Sequence, residues 1–271
     1  MDLSAFKPPF IPVRLPSNGV LYTNPSLKSG FINIHEYTVT EEGIINHMNR
    51  DNIQQSLNNL LDSCISREDR VKAEELTSED AFYLLVWLRA NSFGPIYDLE
   101  VTCPHAGCGY GPETYSVDLG DLKITYMEED VKEPLTLTLP KSHIQVNMKC
   151  LRRSTELLAA KRVPVIQQRK DYKGDPTELL KRAYCIDQCI APNGEEITGV
   201  LDIEELCLKI LPSADSLYID TKMEYFNHGI DVRVEIPCQS CEKIIHTVIP
   251  PGTEFFRATR LSLESIREPI E

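Results

Sequence analysis

The sequence predicts an α+β fold: a helical N-terminal region, a β module assembled from two separated segments, and a mixed α/β insertion between them. Three observations lead there. After about residue 40, apolar residues recur at helical spacing to about residue 93 and then change to strand-like alternation. Two cysteine pairs, Cys103/Cys108 and Cys238/Cys241, sit in matching contexts, each between two alternating segments. The stretch between the pairs shows both periods. The implied division is an N-terminal arm and helical region over 1–96, a split β module over 97–118 and 229–252, an insertion over 119–228, and a C-terminal tail over 253–271.

The first 40 residues read as extended. Pro8, Pro9, Pro12 and Pro16 prevent a helix, Ser17-Asn18-Gly19 is a turn signal, and Phe31 to Ile34 alternate as a short strand. A helix follows Thr40, with Glu41 and Glu42 favourably placed against the positive end of its dipole. A second spans about Ile53 to Ser63, with Leu57, Leu60, Leu61 and Cys64 on one stripe. The third starts at a Thr77 or Ser78 cap, carries Glu79 and Asp80 in its first turn, and ends at Gly94-Pro95. Trp87, the single tryptophan, reads as a core or interface anchor on it.

Strands then flank Cys103 and Cys108, through Leu99 and Val101 before them and Tyr115 and Val117 after. Leu135, Leu137 and Leu139, then Ile144 and Val146, predict two strands joined by a loop at Pro140. Helices return over Ser154 to about Gln168, with Pro164 as a break or kink. Asp175-Pro176-Thr177-Glu178 starts another helix, predicted to run to about Ile190 and to end at Pro192-Asn193-Gly194. A short helix covers Asp202 to Ile210, and Ser213 begins one more helical turn. Strands resume with Ile230, Val232 and Val234 before the second cysteine pair, and with Ile244, His246 and Val248 after it. The tail reads as amphipathic, with Phe255, Phe256, Leu261 and Ile266.

Composition narrows the function classes. With 42% hydrophobic and 25% charged residues, the chain has ordinary globular composition and enough apolar content to offset folding entropy. No stretch of about 18 apolar residues suits a membrane span, and the first residues lack the pattern of a signal peptide. The net charge of −13 disfavours a nucleic-acid binder, which needs a basic footprint. Lys149, Arg152, Arg153, Lys161, Arg162, Arg169, Lys170 and Lys173 form a local exception, which reads as a solvated helical face. An acidic protein partner is the next reading of that cluster, ahead of RNA or DNA.

Nine cysteines without a secretion pattern favour metal-bound and free thiols over a disulfide framework. Cys103, Cys108, Cys238 and Cys241 are the candidate metal ligands. Tight turns between strands bring two sulfurs each to a single ion, and two such turns complete the four-thiolate tetrahedral shell that Zn2+ prefers. The module is therefore expected to be a zinc ribbon split by the insertion, with a structural zinc and no open position for catalysis. Metal-free thiols, a redox pair at Cys238/Cys241, or His105 or His246 in place of one cysteine are the alternatives. Cys185 and Cys189, four apart on a predicted helix, and Cys207 read as small buried apolar residues, as do Cys64 and Cys150. No catalytic fingerprint such as G-x-S-x-G, H-E-x-x-H or a P-loop is present. His47, His143 and His228 are single histidines without a readable partner. No catalytic residue is assigned.

The segment Val13-Arg14-Leu15-Pro16-Ser17-Asn18-Gly19-Val20-Leu21-Tyr22 resembles the opening of contractile-tailed phage baseplate proteins. The same order continues through Glu41-Glu42, Leu60-Leu61-Asp62-Ser63-Cys64-Ile65, Leu76-Thr77-Ser78-Glu79-Asp80 and Leu88-Arg89-Ala90-Asn91-Ser92-Phe93-Gly94 to the strand with Cys103. Over about residues 10–110 it is similar to T-even-type baseplate hub and hub-assembly proteins. The resemblance implies a non-enzymatic component of the virion tail, assembled in the host cytoplasm. Its implied partners are other hub, spike or wedge proteins, within a symmetric homo-oligomeric arrangement and without membrane contact. A tail-assembly chaperone absent from the mature particle is the rival reading, followed by a nucleic-acid-binding zinc ribbon.

Overall fold

In the computed structural model, residues 8–49 and 52–257 are described, and among them the chain is mixed α/β, with eight α-helices and five small antiparallel sheets. The expectations for Leu261 and Ile266 fall outside the described residues. The predicted N-terminal strand β2 (Phe31–Ile34) is present and pairs with β1 (Ile11–Arg14), with a short helix α1 (Pro25–Lys28) between them. The turn between β1 and α1 needs glycine. Gly19 sits at φ +76°, where a Cβ would lie 2.6 Å from the Leu27 carbonyl oxygen.

Three helices follow, as the periodicity predicts. Thr38 and Glu41 close a capping box at the start of α2 (Val39–His47). Helix α3 (Ile53–Cys64) buries Leu57, Leu60, Leu61 and Cys64 along one stripe. Thr77 caps α4 (Ser78–Phe93), and Gly94 ends it at φ +87°. Trp87 packs half-buried against the surrounding core. These helices and the β1–β2 hairpin share a core with Ile236, Ile249, Phe255 and Phe256 from the far end of the chain. The Arg89 guanidinium, almost wholly buried, fastens that end by donating to the Phe255 carbonyl and, from a second nitrogen, to that of Gly94.

A second core gathers residues between Leu135 and Met223, whereas Leu119 and Leu122 pack in the first. Its sheet runs β6 (Leu135–Thr138), β7 (Gln145–Met148), β8 (Ile186–Ile190), β9 (Glu196–Ile197), all antiparallel. Helices α6 (Thr177–Tyr184), α7 (Val200–Glu205) and α8 (Ser213–Met223) complete it, while α5 (Arg153–Gln167) packs against α6 in a smaller apolar cluster of Ala159, Ile166 and Leu180. Helix α5 runs through Pro164, within the span expected to about Gln168. Two expectations are corrected here. The helix starting near Pro176 stops at Tyr184, and Ile186–Ile190 is a strand paired with β7, so Pro192-Asn193-Gly194 turns a hairpin. The segment from Ser213 makes eleven helical residues, not a single turn.

Five of the eight cations in the basic cluster find carboxylate partners within the chain. Lys149 pairs with Asp187, Arg152 with Glu133, Arg153 with Glu156, Arg162 with Glu204, and Arg169 with Asp171 and Glu205. Cations already paired with carboxylates offer little to phosphate.

Candidate metal centre

Two hairpins build the centre. Strands β3 (Ile96–Val101) and β4 (Glu113–Asp118) pair from Ile96↔Asp118 to Val101↔Glu113, leaving the loop with Cys103 and Cys108 at their open end. Strands β11 (Arg233–Pro237) and β12 (Ile244–Val248) pair from Arg233↔Val248 to Pro237↔Ile244, leaving a tight turn with Cys238 and Cys241. Main-chain bonds shape both. The Cys103 amide donates to the Tyr110 carbonyl and that of Cys108 to His105, while the Cys238 amide donates to Lys243 and that of Glu242 back to Cys238. Gly111 is needed where the first loop rejoins its strand: at φ +117°, a Cβ would lie 2.7 Å from the Val101 carbonyl oxygen.

The four sulfurs converge. One ligand atom from each of Cys103, Cys108, Cys238 and Cys241 lies within 4.8 Å of every other. Cys103 Sγ is 3.8 Å from Cys241 Sγ, and Cys108 Sγ is 3.8 Å from Cys238 Sγ, so each close pair bridges the two hairpins. A tetrahedron with Zn–S bonds of about 2.3 Å has an S···S edge of about 3.8 Å. A disulfide would require about 2.05 Å. The donor set and its spacing therefore fit one tetrahedral, thiolate-bound ion.

Burial and electrostatics suit such an ion. Cys103 and Cys238 are buried beside Ile245 and Val101, whereas Cys108 and Cys241 are half-exposed. The backbone amide of Cys241, helped by that of Ser240, stabilises the Cys238 thiolate and lowers its pKa well below the ordinary thiol value. Burial acts the other way on Cys103 and raises its pKa. An ion would supply the positive charge that a second, third and fourth thiolate require.

Neither histidine joins the cluster. His105 Nε2 lies 3.0 Å from the Ile244 carbonyl, a group that can only accept, so the ring clamps one hairpin to the other. His246 faces Glu235 on the exposed side of the second hairpin. The remaining cysteines are dispersed. Cys185 follows α6 while Cys189 lies in β8, which corrects their expected placement on one helix, and both pack with Cys207 in the second core. Cys150 packs with Leu21, Met127 and Phe226, and Cys64 lies in the N-terminal core.

Away from the cysteines, a set of buried side chains without a readable mutual pattern forms a polar network. Asp80, fully buried, accepts from the Ser17 amide at 2.9 Å and from the Tyr22 hydroxyl at 2.7 Å. The Tyr22 oxygen in turn accepts from the Thr77 amide at 2.7 Å. Thr77 Oγ1 meets His228 Nε2 at 2.8 Å, and His228 Nδ1 donates to the Phe226 carbonyl at 2.7 Å. This chain of bonds ties the N-terminal turn to α4 and to the residues before β10 (Gly229–Ile230), the strand that pairs with β5 (Ile124–Thr125). Its members are spent on one another, which is the pattern of a structural latch.

Comparison with known proteins places this geometry in context. A family model described as T4 bacteriophage base plate protein matches residues 20–257, most of the chain. No curated protein matches it, and no solved structure does.

Proposed function

The chain belongs to the T4 bacteriophage base plate protein family, and from that premise we propose that it is a structural component of the contractile-tail baseplate at or near the hub. The family match carries the reading. Its role is to hold neighbouring baseplate proteins through protein–protein contacts, within a symmetric arrangement of copies. Cys103, Cys108, Cys238 and Cys241 bind one structural Zn2+ in this proposal, supported by the 3.8 Å sulfur spacing across the two hairpins. Zinc joins residues that lie 130 positions apart in sequence, and so fixes the small hairpins that their own apolar area cannot hold. Four protein ligands leave no position for a reacting water, which suits a structural and not a catalytic ion.

The motif residues support the same role. Leu15, Ser17, Tyr22, Asp80 and Arg89 are all buried, and the polar ones are engaged in hydrogen bonds within the chain. Mass spectrometry of purified virions tests the proposal. The chain is expected in the particle at a fixed ratio to the other baseplate proteins. Its absence from mature particles, with presence in infected-cell extracts, would instead assign it to assembly.

A further inference from the structure

We propose a second metal site, independent of the four-cysteine centre, formed by His35, Glu41 and Cys64. One ligand atom from each lies within 4.8 Å of the other two, at the junction of β2, α2 and α3. The backbone builds that junction. The His35 amide donates to the Cys64 carbonyl at 3.1 Å, and Ile34 bridges to Ile65, so the end of the strand is laid against the end of α3. The capping box of α2 then places the Glu41 carboxylate against the same spot.

The surroundings orient each donor as metal ligands are commonly oriented. His35 Nδ1 lies 2.6 Å from the Glu36 carbonyl, so this nitrogen carries the proton and Nε2 keeps the free lone pair. The Glu41 carboxylate accepts from the Thr38 amide at 2.7 Å, from the Thr38 hydroxyl at 2.6 Å, and from the Ser63 hydroxyl on its other oxygen. These bonds fix its rotamer and leave lone-pair capacity unused. Glu41 and Cys64 are 2% and 0% exposed, and no cation pairs with Glu41 among the described residues. The Tyr37 hydroxyl is buried beside this set without a hydrogen-bond partner, within electrostatic reach of Cys64, Arg89 and Glu41.

An imidazole nitrogen, a carboxylate oxygen and a thiolate sulfur form a mixed set suited to Zn2+ or another first-row divalent ion of intermediate softness. Three protein ligands leave the fourth tetrahedral position to water. On binding, the Cys64 thiol proton is released to solvent and the thiolate joins the ion, so charge and protons balance. The role assigned is a staple between β2 and the two helices.

The test uses the full chain, purified without chelator and supplied with zinc, and counts bound zinc by native mass spectrometry. Two zinc ions per chain are expected in the wild type. His35→Gln and Cys64→Ser should each lose one ion and retain the other. His35 is half-exposed, so H35Q keeps the measurement available should the buried Cys64 variant fail to fold. Cobalt substitution provides the second readout: H35Q should remove the weaker sulfur-to-metal band of a single-thiolate site while leaving the tetrathiolate spectrum. A wild-type count of one that disappears with Cys108→Ser would overturn this site and leave the ribbon standing. A second ion that persists in both H35Q and C64S would also overturn it.

Discussion

Replacing Asp80 by alanine should destabilise the protein without emptying the four-cysteine centre. The substitution leaves two buried donors, the Ser17 amide and the Tyr22 hydroxyl, without the acceptor they meet at 2.9 and 2.7 Å. An orphaned buried polar group costs about 1–3 kcal/mol, so two cost about 2–6 kcal/mol. Relief of the buried carboxylate's desolvation offsets part of this, which puts the net loss at about 3–4 kcal/mol. For a chain of this size the melting temperature should fall by on the order of 10 °C. Tyr22→Phe removes one donor to Asp80 and the acceptor of the Thr77 amide, and should cost about 1–3 kcal/mol. In the double variant the shared bond is lost only once, so the two costs should fall short of additivity by about 1–2 kcal/mol. Urea unfolding of the four proteins measures the cycle, and metal analysis of the same samples checks the centre. An Asp80→Ala loss below about 0.5 kcal/mol, the range of ordinary surface changes, would refute the latch. Strict additivity would refute the direct coupling through Tyr22.

Further outcomes follow from other parts of the fold. Gly19→Ala forces a side chain into a positive-φ turn and onto the Leu27 carbonyl, and should lower stability by about 1–3 kcal/mol in chemical denaturation. Burial opposes the charge of Asp215, but the Ser142 hydroxyl together with the Lys141 and Ser142 amides outweighs it and lowers its pKa. The stabilisation it contributes is therefore present above the ordinary carboxylate range and lost as pH falls through the lowered value. Asp215→Asn should flatten the acid limb of the stability–pH curve, whereas an unchanged limb would contradict this assignment. Cys108→Ser should shorten zinc retention against a competing chelator, because a three-thiolate shell holds the ion less well. DNA titrated at low salt should produce no shift attributable to Arg162 or Arg169, since both are paired with internal carboxylates. Binding weakened by Arg162→Ala would reverse that conclusion.

Local chemistry made much of this fold legible. Thr77, Glu79, Asp80 and Gly94 announce both ends of α4, because a cap, acidic first turn and terminal glycine act within a few residues. The cysteine pairs were legible for the same reason, since each pair reflects one turn. The strand Ile186–Ile190 was not. Ile186, Cys189 and Ile190 continue the helical spacing of Leu180 and Ala183, and only pairing with β7, about 40 residues away, makes the segment a strand. The latch was hidden similarly: Tyr22, Asp80 and His228 carry no mutual spacing, and tertiary packing alone brings them together. His35, Glu41 and Cys64 belong to three different elements, so a lone cysteine on an apolar stripe gave no sign of a ligand set.

Cys103, Cys108, Cys238 and Cys241 are proposed to hold one zinc ion that joins the two hairpins. Native mass spectrometry of the wild-type chain and of Cys241→Ser, purified identically, supplied with zinc and dialysed side by side against a zinc chelator, decides it. Cys241 is only half-buried, so its replacement should leave a folded chain. The variant should carry one zinc fewer per chain than the wild type. An equal zinc count in the two proteins, or a wild-type chain without metal, would contradict it.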